Sequence, residues 1–147
     1  MRSDAHVNIT NCLIAENEIY YGDGIKLQGI TGTVSNCGLI DNIITNGAAV
    51  SITENSSPVI ENCIIWDNPY GSVFHHNSLP VFSYNNIDGG FPGTGNIDID
   101  PEFIPGPHGA YYLSQVSAGQ DQDSPCLDTG SDVSSSICFS DLHGVYC

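Results

Sequence analysis

The sequence predicts an all-β chain folded as a solenoid, in which the backbone winds through stacked coils. The main observation is a dipeptide that recurs as Asn11-Cys12, Asn36-Cys37 and Asn62-Cys63, with a weaker echo at Asn85-Asn86. The intervals between these positions are 25, 26 and 23 residues. A near-constant period of this length is typical of repeats that bury their apolar face only by stacking on a neighbour.

The residues around the dipeptide also agree from coil to coil. The aligned turns are Val7–Glu18, Gly32–Ile43 and Pro58–Pro69, and in each an acid and an Asn follow, as Glu16-Asn17, Asp41-Asn42 and Asp67-Asn68. Apolar residues alternate in these turns and β-branched residues dominate, which favours strands over helix. A second set of strands is expected at Gly24–Leu27, Ala49–Ile52 and Ser72–His75. Each coil should therefore contain at least two short strands.

Two columns of identical side chains follow from this stacking, because successive parallel strands lie about 4.8 Å apart. Asn17, Asn42 and Asn68 predict a ladder of side-chain hydrogen bonds at a bend of the coil. Cys12, Cys37 and Cys63 predict a column of small buried side chains inside the solenoid. A disulfide between stacked neighbours also fits the Cα separation that such a bond requires.

The Asn columns, short strands and coil length resemble the right-handed parallel β-helix of the pectin-lyase-like superfamily over residues 7–90. The segments Asn96–Phe103 (Asp-Pro-x-Phe), Gly109–Ser114 (Tyr-x-Leu) and Asp123–Gly130 (Ser-Pro-Cys-x-Asp-x-Gly) resemble the ending of many secreted bacterial β-helix proteins. The resemblance implies a right-handed parallel β-helix of about three to four coils in residues 1–96, followed by an irregular C-terminal capping segment in residues 97–147. It also implies an extracellular or cell-surface location, with the leader absent from this chain.

The charge of the chain narrows the choice of partners. Seventeen acids stand against Arg2 and Lys26, which gives a formal net charge of −15. Nucleic acids and anionic membranes are bound by clustered Lys and Arg, so neither is an expected partner. No stretch approaches the roughly 20 apolar residues of a membrane span. Cations and neutral glycans fit the charge better.

An enzyme of this superfamily needs groups that the chain does not bring together in sequence. Polysaccharide lyases use an Arg or Lys base and basic or Ca²⁺ partners for the uronate substrate, and glycosidases use two carboxyl groups about 5–9.5 Å apart. The cluster of Asp98, Asp100 and Glu102 is better explained as part of the Asp-Pro-x-Phe ending. We therefore predict no catalytic site and expect a structural or adhesive module.

The alternative function is a carbohydrate-active β-helix, either a polysaccharide lyase or a glycan-binding domain whose decisive residues lie outside this chain. The aromatic residues Trp66 and Tyr70 are the candidate glycan platform, although the structural interpretation is that such rings fill a tapering core. The partners expected for the structural module are a second copy joined end to end or missing N-terminal coils. Only six residues precede the first recognisable coil, which begins at Val7, so we expect its outer strand edges to be uncapped. Uncapped strand edges can pair with another chain.

Calcium is the one cofactor that the sequence suggests. Glu16, Asp41 and Asp67 should stack as like charges, and hard oxygen ligands of this kind bind Ca²⁺. Asp98, Asp100 and Glu102 offer a second set of carboxylates. Solvent screening of the stacked charges is the alternative to a bound ion.

The tail carries two further expectations. Cys126, Cys138 and Cys147 predict one disulfide, either Cys138–Cys147 or Cys126–Cys138. Residues 97–147 should contain few strands and should pack their apolar side chains against the last coil. Those side chains are Phe103, Tyr111, Tyr112 and Leu113.

Overall fold

The structure is a computed structural model that describes residues 5–107 and 109–131 and the strands at 139–141 and 144–146. The strands of the solenoid are β1 (Ala5–Thr10), β2 (Leu13–Ala15), β3 (Glu18–Tyr21), β4 (Ile25–Gln28), β5 (Ile30–Ser35), β6 (Gly38–Ile40), β7 (Ile43–Asn46), β8 (Val50–Thr53), β9 (Ser57–Glu61), β10 (Ile64–Trp66), β11 (Val73–His75), β12 (Val81–Ser83) and β13 (Asn86–Ile87). The tail contains β14 (Phe103–Gly106), β15 (Gly109–Leu113), a 3-10 helix (Val116–Ala118), β16 (Phe139–Asp141) and β17 (Gly144–Tyr146).

The solenoid strands form parallel sheets that run along the stack. Sheet A has the order β1-β5-β9-β12, and sheet B has the order β2-β6-β10-β13. Sheet C consists of β3 and β7, and sheet D of β4, β8 and β11. All of these pairings are parallel and in register. The prediction of an all-β parallel solenoid of about three to four coils is therefore confirmed, with about three coils in the structure. The first two coils contain four strands each, in agreement with the expected minimum of two.

The core is the interior of the coils, where one side chain from each coil occupies each stacked position. Ile9, Val34, Ile60 and Phe82 follow one another in the register of sheet A. The last three are buried, and Ile9 packs against them from the first coil. Stacking is close enough that a Cβ at Gly32 would lie 1.8 Å from the carbonyl oxygen of Val7. A side chain at that position would push the first two coils apart.

The third coil is shorter than the first two. Hydrogen bonds between stacked asparagines join residues that are 25 and then 26 apart, whereas the Cys63 amide reaches the Asn85 side chain 22 residues on. Some of the residues that the third coil lacks would lie in sheet C, which has no third strand among the described residues. The shortening also shifts the predicted fourth echo by one residue, because Asn85 and not Asn86 takes the place of the cysteine.

The C-terminal end of the stack is covered by the chain that follows β13. Tyr84 donates its amide to the Thr94 carbonyl, and Ile87 donates to Ile97, so residues 94–97 add an abbreviated coil. The ring of Phe91 lies 4.3 Å from that of Phe82, centroid to centroid, and packs against the core. The Gly-rich segment around Phe91 therefore closes the apolar end.

The tail hairpin follows a different course from the one expected. Strands β14 and β15 are antiparallel, and they pack on the outer face of sheet B rather than on the last coil. Phe103, Tyr111 and Leu113 share a cleft of about 340 Å³ with residues of three successive coils, Leu13, Gly38 and Ile64 among them. The expected packing against the last coil is therefore wrong for these three residues. The physical reason is that the outer face of sheet B is itself apolar, with Leu13, Ile40 and Ile64 lining the same cleft. At the end of strand β2, Glu16 accepts a hydrogen bond from the Tyr111 hydroxyl.

Candidate functional site

The recurring Asn and acidic residues are the corners of the coil. Asn11, Asn36 and Asn62 have φ between 53° and 56°, and Glu16, Asp41 and Asp67 have φ between 53° and 57°. These are left-handed conformations, which Asn and Asp tolerate better than other non-glycine residues. The two corners flank each strand of sheet B. Much of the repeat signal in the sequence is therefore explained by backbone geometry, without a ligand.

The predicted asparagine ladder is present, with Asn42 and Asn68 buried and Asn17 of the first coil exposed. Nδ2 of Asn17 donates to Oδ1 of Asn42 (2.9 Å), and Nδ2 of Asn42 donates to Oδ1 of Asn68 (3.1 Å). Asn42 is fully buried, and its amide group also donates to the carbonyl oxygens of Ile14 and Ile40. Because these donors and acceptors are satisfied, the polar amides can be buried with little loss of free energy, and the ladder stabilises the bend of each coil.

The column of acids has a partner that the sequence did not reveal. The hydroxyl of Tyr111 on β15 donates to the Glu16 carboxylate at 2.9 Å and also lies against Asp41. Partial burial, followed by the hydrogen bond to Glu16, raises the pKa of Tyr111 to about 12. The neutral phenol thus offsets part of the repulsion between two stacked carboxylates.

The second set of acids is used in local hydrogen bonds. Asp98 accepts from the Gly89 amide (3.2 Å), and Asp100 accepts from the Glu102 amide (2.8 Å). Glu102 accepts from the Gln122 side chain. Within residues 5–107 and 109–131, no three His, Cys, Asp or Glu side chains are grouped so that they could hold a metal ion. Calcium at Glu16, Asp41, Asp67, Asp98, Asp100 or Glu102 stays a prediction.

The two predicted glycan-binding rings lie in different environments. Trp66 is half-buried and pairs in register with Ile40 in sheet B. Tyr70 is 57% exposed and lines a cleft of about 410 Å³ together with Phe74, Asp23 and Ser51. Phe74 was not predicted as a second exposed ring, although it lies in the strand predicted at Ser72–His75, only four residues after Tyr70. Tyr70, rather than Trp66, is the ring with a stacking surface.

The cysteine column is a row of free thiols. Cys12 is exposed, and Cys37 and Cys63 are buried. The Sγ of Cys37 donates to the Ser35 carbonyl (3.2 Å), and that of Cys63 to the Glu61 carbonyl (3.2 Å). Both thiols also lie close to a carbonyl of the preceding coil. The predicted buried column is confirmed for Cys37 and Cys63 and is wrong for Cys12.

Of the three tail cysteines, the structure describes only Cys126, which is a half-buried free thiol. Its Sγ accepts from Nδ2 of Asn86 at 3.0 Å, and burial raises its pKa. Cys138 and Cys147 lie outside the described residues. Both alternatives, Cys138–Cys147 and Cys126–Cys138, therefore stay predictions.

The first coil exposes apolar side chains at its outer end. Val7 is 38% exposed, although Gly32 and Pro58, which follow it in the same column, are buried. Leu13, on the outer face of sheet B, is 61% exposed. Strands β1 to β4 each pair with a single neighbour, on the side of the second coil. Their other edges therefore present backbone groups that have no strand partner among the described residues.

The stacked parallel sheets define the class of the protein as a parallel β-solenoid. The family model of the right-handed beta helix region matches residues 1–100, more than half of the 147 residues. The chain therefore belongs to the right-handed β-helix family. No curated protein and no solved structure matches the chain. Among the described residues, no helix is long and apolar enough to cross a membrane.

Proposed function

We propose that this chain is a non-catalytic, extracellular structural or adhesive module that associates with a second copy through the end face of its first coil. The observation that carries the proposal is the contrast between the two ends of the stack. The first coil exposes strand edges and the side chain of Val7, whereas Phe91 and residues 94–97 cover the last coil. Exposed strand edges with apolar side chains template pairing with another chain.

The covered C-terminal end determines the kind of assembly that we expect. A head-to-tail contact would have to displace residues 94–97, which already pair with the last coil. Contact between two first coils uses the same surface on both copies, so it is isologous and closes as a dimer. The end-to-end association expected from the sequence is therefore refined to a head-to-head dimer rather than a fibre. The net charge of −15 opposes it at low ionic strength.

Sedimentation velocity of the full chain across protein and salt concentrations tests this proposal. We expect a dimer that becomes more abundant as salt rises to about 0.3 M, where the Debye length is roughly 6 Å. Val7→Glu should abolish it, because it places a charge in the contact. Val81→Glu is the matched control, since Val81 lies in the last strand of the same sheet and is also exposed. A monomer under all conditions contradicts the proposal. The alternative is then that further N-terminal coils of a longer chain stack on the end face of the first coil.

A second candidate function is binding of a neutral glycan in the cleft at Tyr70, and the pair of exposed rings favours it. Tyr70 and Phe74 are 57% and 52% exposed, and Asp23 and Ser51 line the same cleft. Exposed rings stack on the apolar faces of sugars, while hydroxyl and carboxylate groups fix their orientation. An acidic chain suits a neutral sugar better than a uronate polymer, since like charges repel.

Isothermal titration against a panel of neutral and uronate oligosaccharides tests the glycan proposal. Tyr70→Ala should lower the affinity for a bound neutral glycan by about tenfold or more, because it removes a stacking face. Tyr21→Ala is the matched control, since Tyr21 is also highly exposed but lies in sheet C. Equal losses in the two variants, or tighter binding of uronates than of neutral sugars, would argue against this site.

A further inference from the structure

We infer that Cys12 and Cys37 form a thiol pair that hydroperoxides convert into a disulfide between the first two coils. Both thiols belong to one chain, so the disulfide does not require the proposed self-association, and it is best tested at low salt, where repulsion between the acidic chains keeps them apart. Three thiols follow one another in the stack, with Cys12 exposed at one end and Cys37 and Cys63 buried behind it. The solenoid thus places an accessible thiol directly beside a buried one.

The strand registers fix the position of the pair. Thr10 pairs with Ser35, Leu13 pairs with Gly38, and the Gly38 amide donates to the Cys12 carbonyl at 2.9 Å. Cys12 therefore lies over Cys37 in the stack, at the strand spacing of about 4.8 Å. This separation is within the range of about 4.4–6.8 Å between Cα atoms that a disulfide accepts.

The surroundings of Cys37 favour its reaction as a nucleophile. Hydrogen bonding from the Cys63 thiol lowers the pKa of Cys37 to about 6, against the opposing effect of burial. Hydrogen bonding to Cys37, together with burial, raises the pKa of Cys63, so Cys63 stays protonated. A thiolate is the attacking species in disulfide formation. Burial keeps Cys37 away from bulky oxidants, whereas Cys12 is reached from solvent.

The chemistry requires one equivalent of hydroperoxide and proceeds in two steps. The Cys12 thiol is first oxidised to a sulfenic acid, and the peroxide is reduced to water, or to an alcohol for an organic hydroperoxide. The Cys37 sulfur then attacks the sulfenic sulfur, the S–S bond forms, and a second molecule of water leaves. The two thiols together lose two protons and two electrons, which the peroxide takes up. A thiol reductant returns both cysteines to thiols by thiol–disulfide exchange and is itself oxidised to a disulfide.

Peptide mapping of the full chain after treatment with one equivalent of hydrogen peroxide tests this inference. We expect a peptide pair joined through Cys12 and Cys37, lighter by about 2 Da than the two reduced peptides, and its loss on reduction. Cys12→Ser should remove this cross-link, and because Cys12 is exposed the variant should fold normally. Cys126→Ser should keep the cross-link, since Cys126 lies in the tail.

A second measurement follows from the loop that the disulfide closes. The bond joins residues 25 apart, and it should raise the thermal midpoint of the oxidised chain by about 5–10 °C over the reduced chain. Cys12→Ser should show no such difference. Three results would overturn the inference: over-oxidation of Cys12 without a cross-link, a link between Cys37 and Cys63, or a link from Cys12 to a second chain.

Discussion

At the residue scale, the repeat is explained by two backbone corners and one buried amide per coil. Asn36 and Asp41 adopt left-handed conformations on either side of strand β6, and Asn42 then points into the stack and bonds to the coils on both sides. The corners require residues that tolerate a left-handed conformation, and the ladder requires an amide that both donates and accepts a hydrogen bond. Substitutions at these positions should therefore separate backbone geometry from ligand binding.

Replacing the central ladder residue should destabilise the protein more than replacing an exposed asparagine that makes a single bond. Asn42→Ala removes a buried side chain that bonds to Asn17 and leaves the buried Asn68 acceptor without its partner, so we expect the free energy of unfolding to fall by about 2–4 kcal/mol. Asn46→Ala is the matched control, because Asn46 is exposed and its side chain makes one bond, to the Tyr20 carbonyl. Urea unfolding followed by circular dichroism measures both. Equal losses in the two variants would contradict the role of the ladder.

Substitutions at the acidic corner distinguish backbone strain from charge. Asp41→Gly and Asp41→Ala remove the same carboxylate, but only glycine accepts φ of 53° without strain. We expect the glycine variant to have the higher free energy of unfolding, by about 1 kcal/mol. The control is the same pair of substitutions at Thr33 in strand β5. There Thr33→Ala should be more stable than Thr33→Gly by roughly 0.5–1 kcal/mol, because glycine is unfavourable inside a strand. The same ranking at both positions would be inconsistent with a left-handed corner.

Calcium binding at the acids requires its own measurement. If the predicted site exists, saturating Ca²⁺ at about 100 times its dissociation constant stabilises the fold by roughly 2.7 kcal/mol, and a chelator lowers the thermal midpoint accordingly. Mg²⁺ should substitute poorly, because it demands stricter geometry. Differential scanning calorimetry with and without chelator decides the matter. An unchanged midpoint would remove calcium from both acidic clusters.

At the element scale, the tail bonds to coils that are far from it in sequence. In the hairpin of β14 and β15, Tyr111 bonds to Glu16, which is 95 residues away. Beyond the hairpin, Ser131 donates its amide to Asn62 Oδ1, 69 residues away. The hairpin and the segment that follows it therefore tie the tail to the side of the stack. The contribution of the hairpin should be visible in the titration of Tyr111.

The Tyr111 hydroxyl predicts a specific loss of stability in alkali. Its folded pKa of about 12 lies above the ordinary tyrosine value of about 10, so the native state holds the proton more tightly than the unfolded state. The stabilisation is complete below about pH 10 and is lost as the pH rises through about 12. The stability difference between wild type and Tyr111→Phe should therefore shrink across this window. Urea unfolding at several pH values measures it.

The control for this titration is Tyr112→Phe, at the next position of the same strand. Its stability difference from wild type should not shrink in the way that the Tyr111→Phe difference does. A Tyr111→Phe difference that is constant from pH 9 to about 12 would contradict the link between the hydroxyl and Glu16.

At the scale of the whole molecule, the tail covers apolar surface at the end and along the side of the acidic solenoid. At the start of the tail, Ile97 pairs with Asn86 in the last coil and Ile99 bonds to the Asn86 side chain, and the hairpin lies against the outer face of sheet B, on the side of the stack. Ile40 on that outer face is 3% exposed. Removing the hairpin should therefore uncover apolar surface along several coils.

Truncation after Asp100 should lower the thermal midpoint and promote aggregation, because it exposes the outer face of sheet B. Truncation after Ser131 is the matched control, since it keeps the hairpin and its bonds to Glu16 and Asn62. Scanning calorimetry and light scattering measure the two effects. A chain ending at Asp100 that unfolds at the wild-type temperature and stays monomeric would show that the hairpin has no closing role.

Local spacing was enough to predict the repeated features of the fold. The 25- and 26-residue intervals place Asn17, Asn42 and Asn68 in one column, because a parallel stack repeats its environment at each coil. The buried thiols of Cys37 and Cys63 follow from the same period. Sheet C was missed, since Glu18–Tyr21 and Ile43–Asn46 have no third copy to reveal them.

The features that depend on distant contacts were decided only by the tertiary structure. The sequence of Tyr111 and its neighbours shows apolar residues that need a surface, but it does not say which surface, and the available ones were the last coil and the outer face of sheet B. That face is lined by Leu13, Ile40 and Ile64, and Glu16 accepts the hydroxyl there. Periodicity therefore determined the coil, whereas the course of the tail depended on shape and hydrogen-bonding partners that come together only after the coils have stacked.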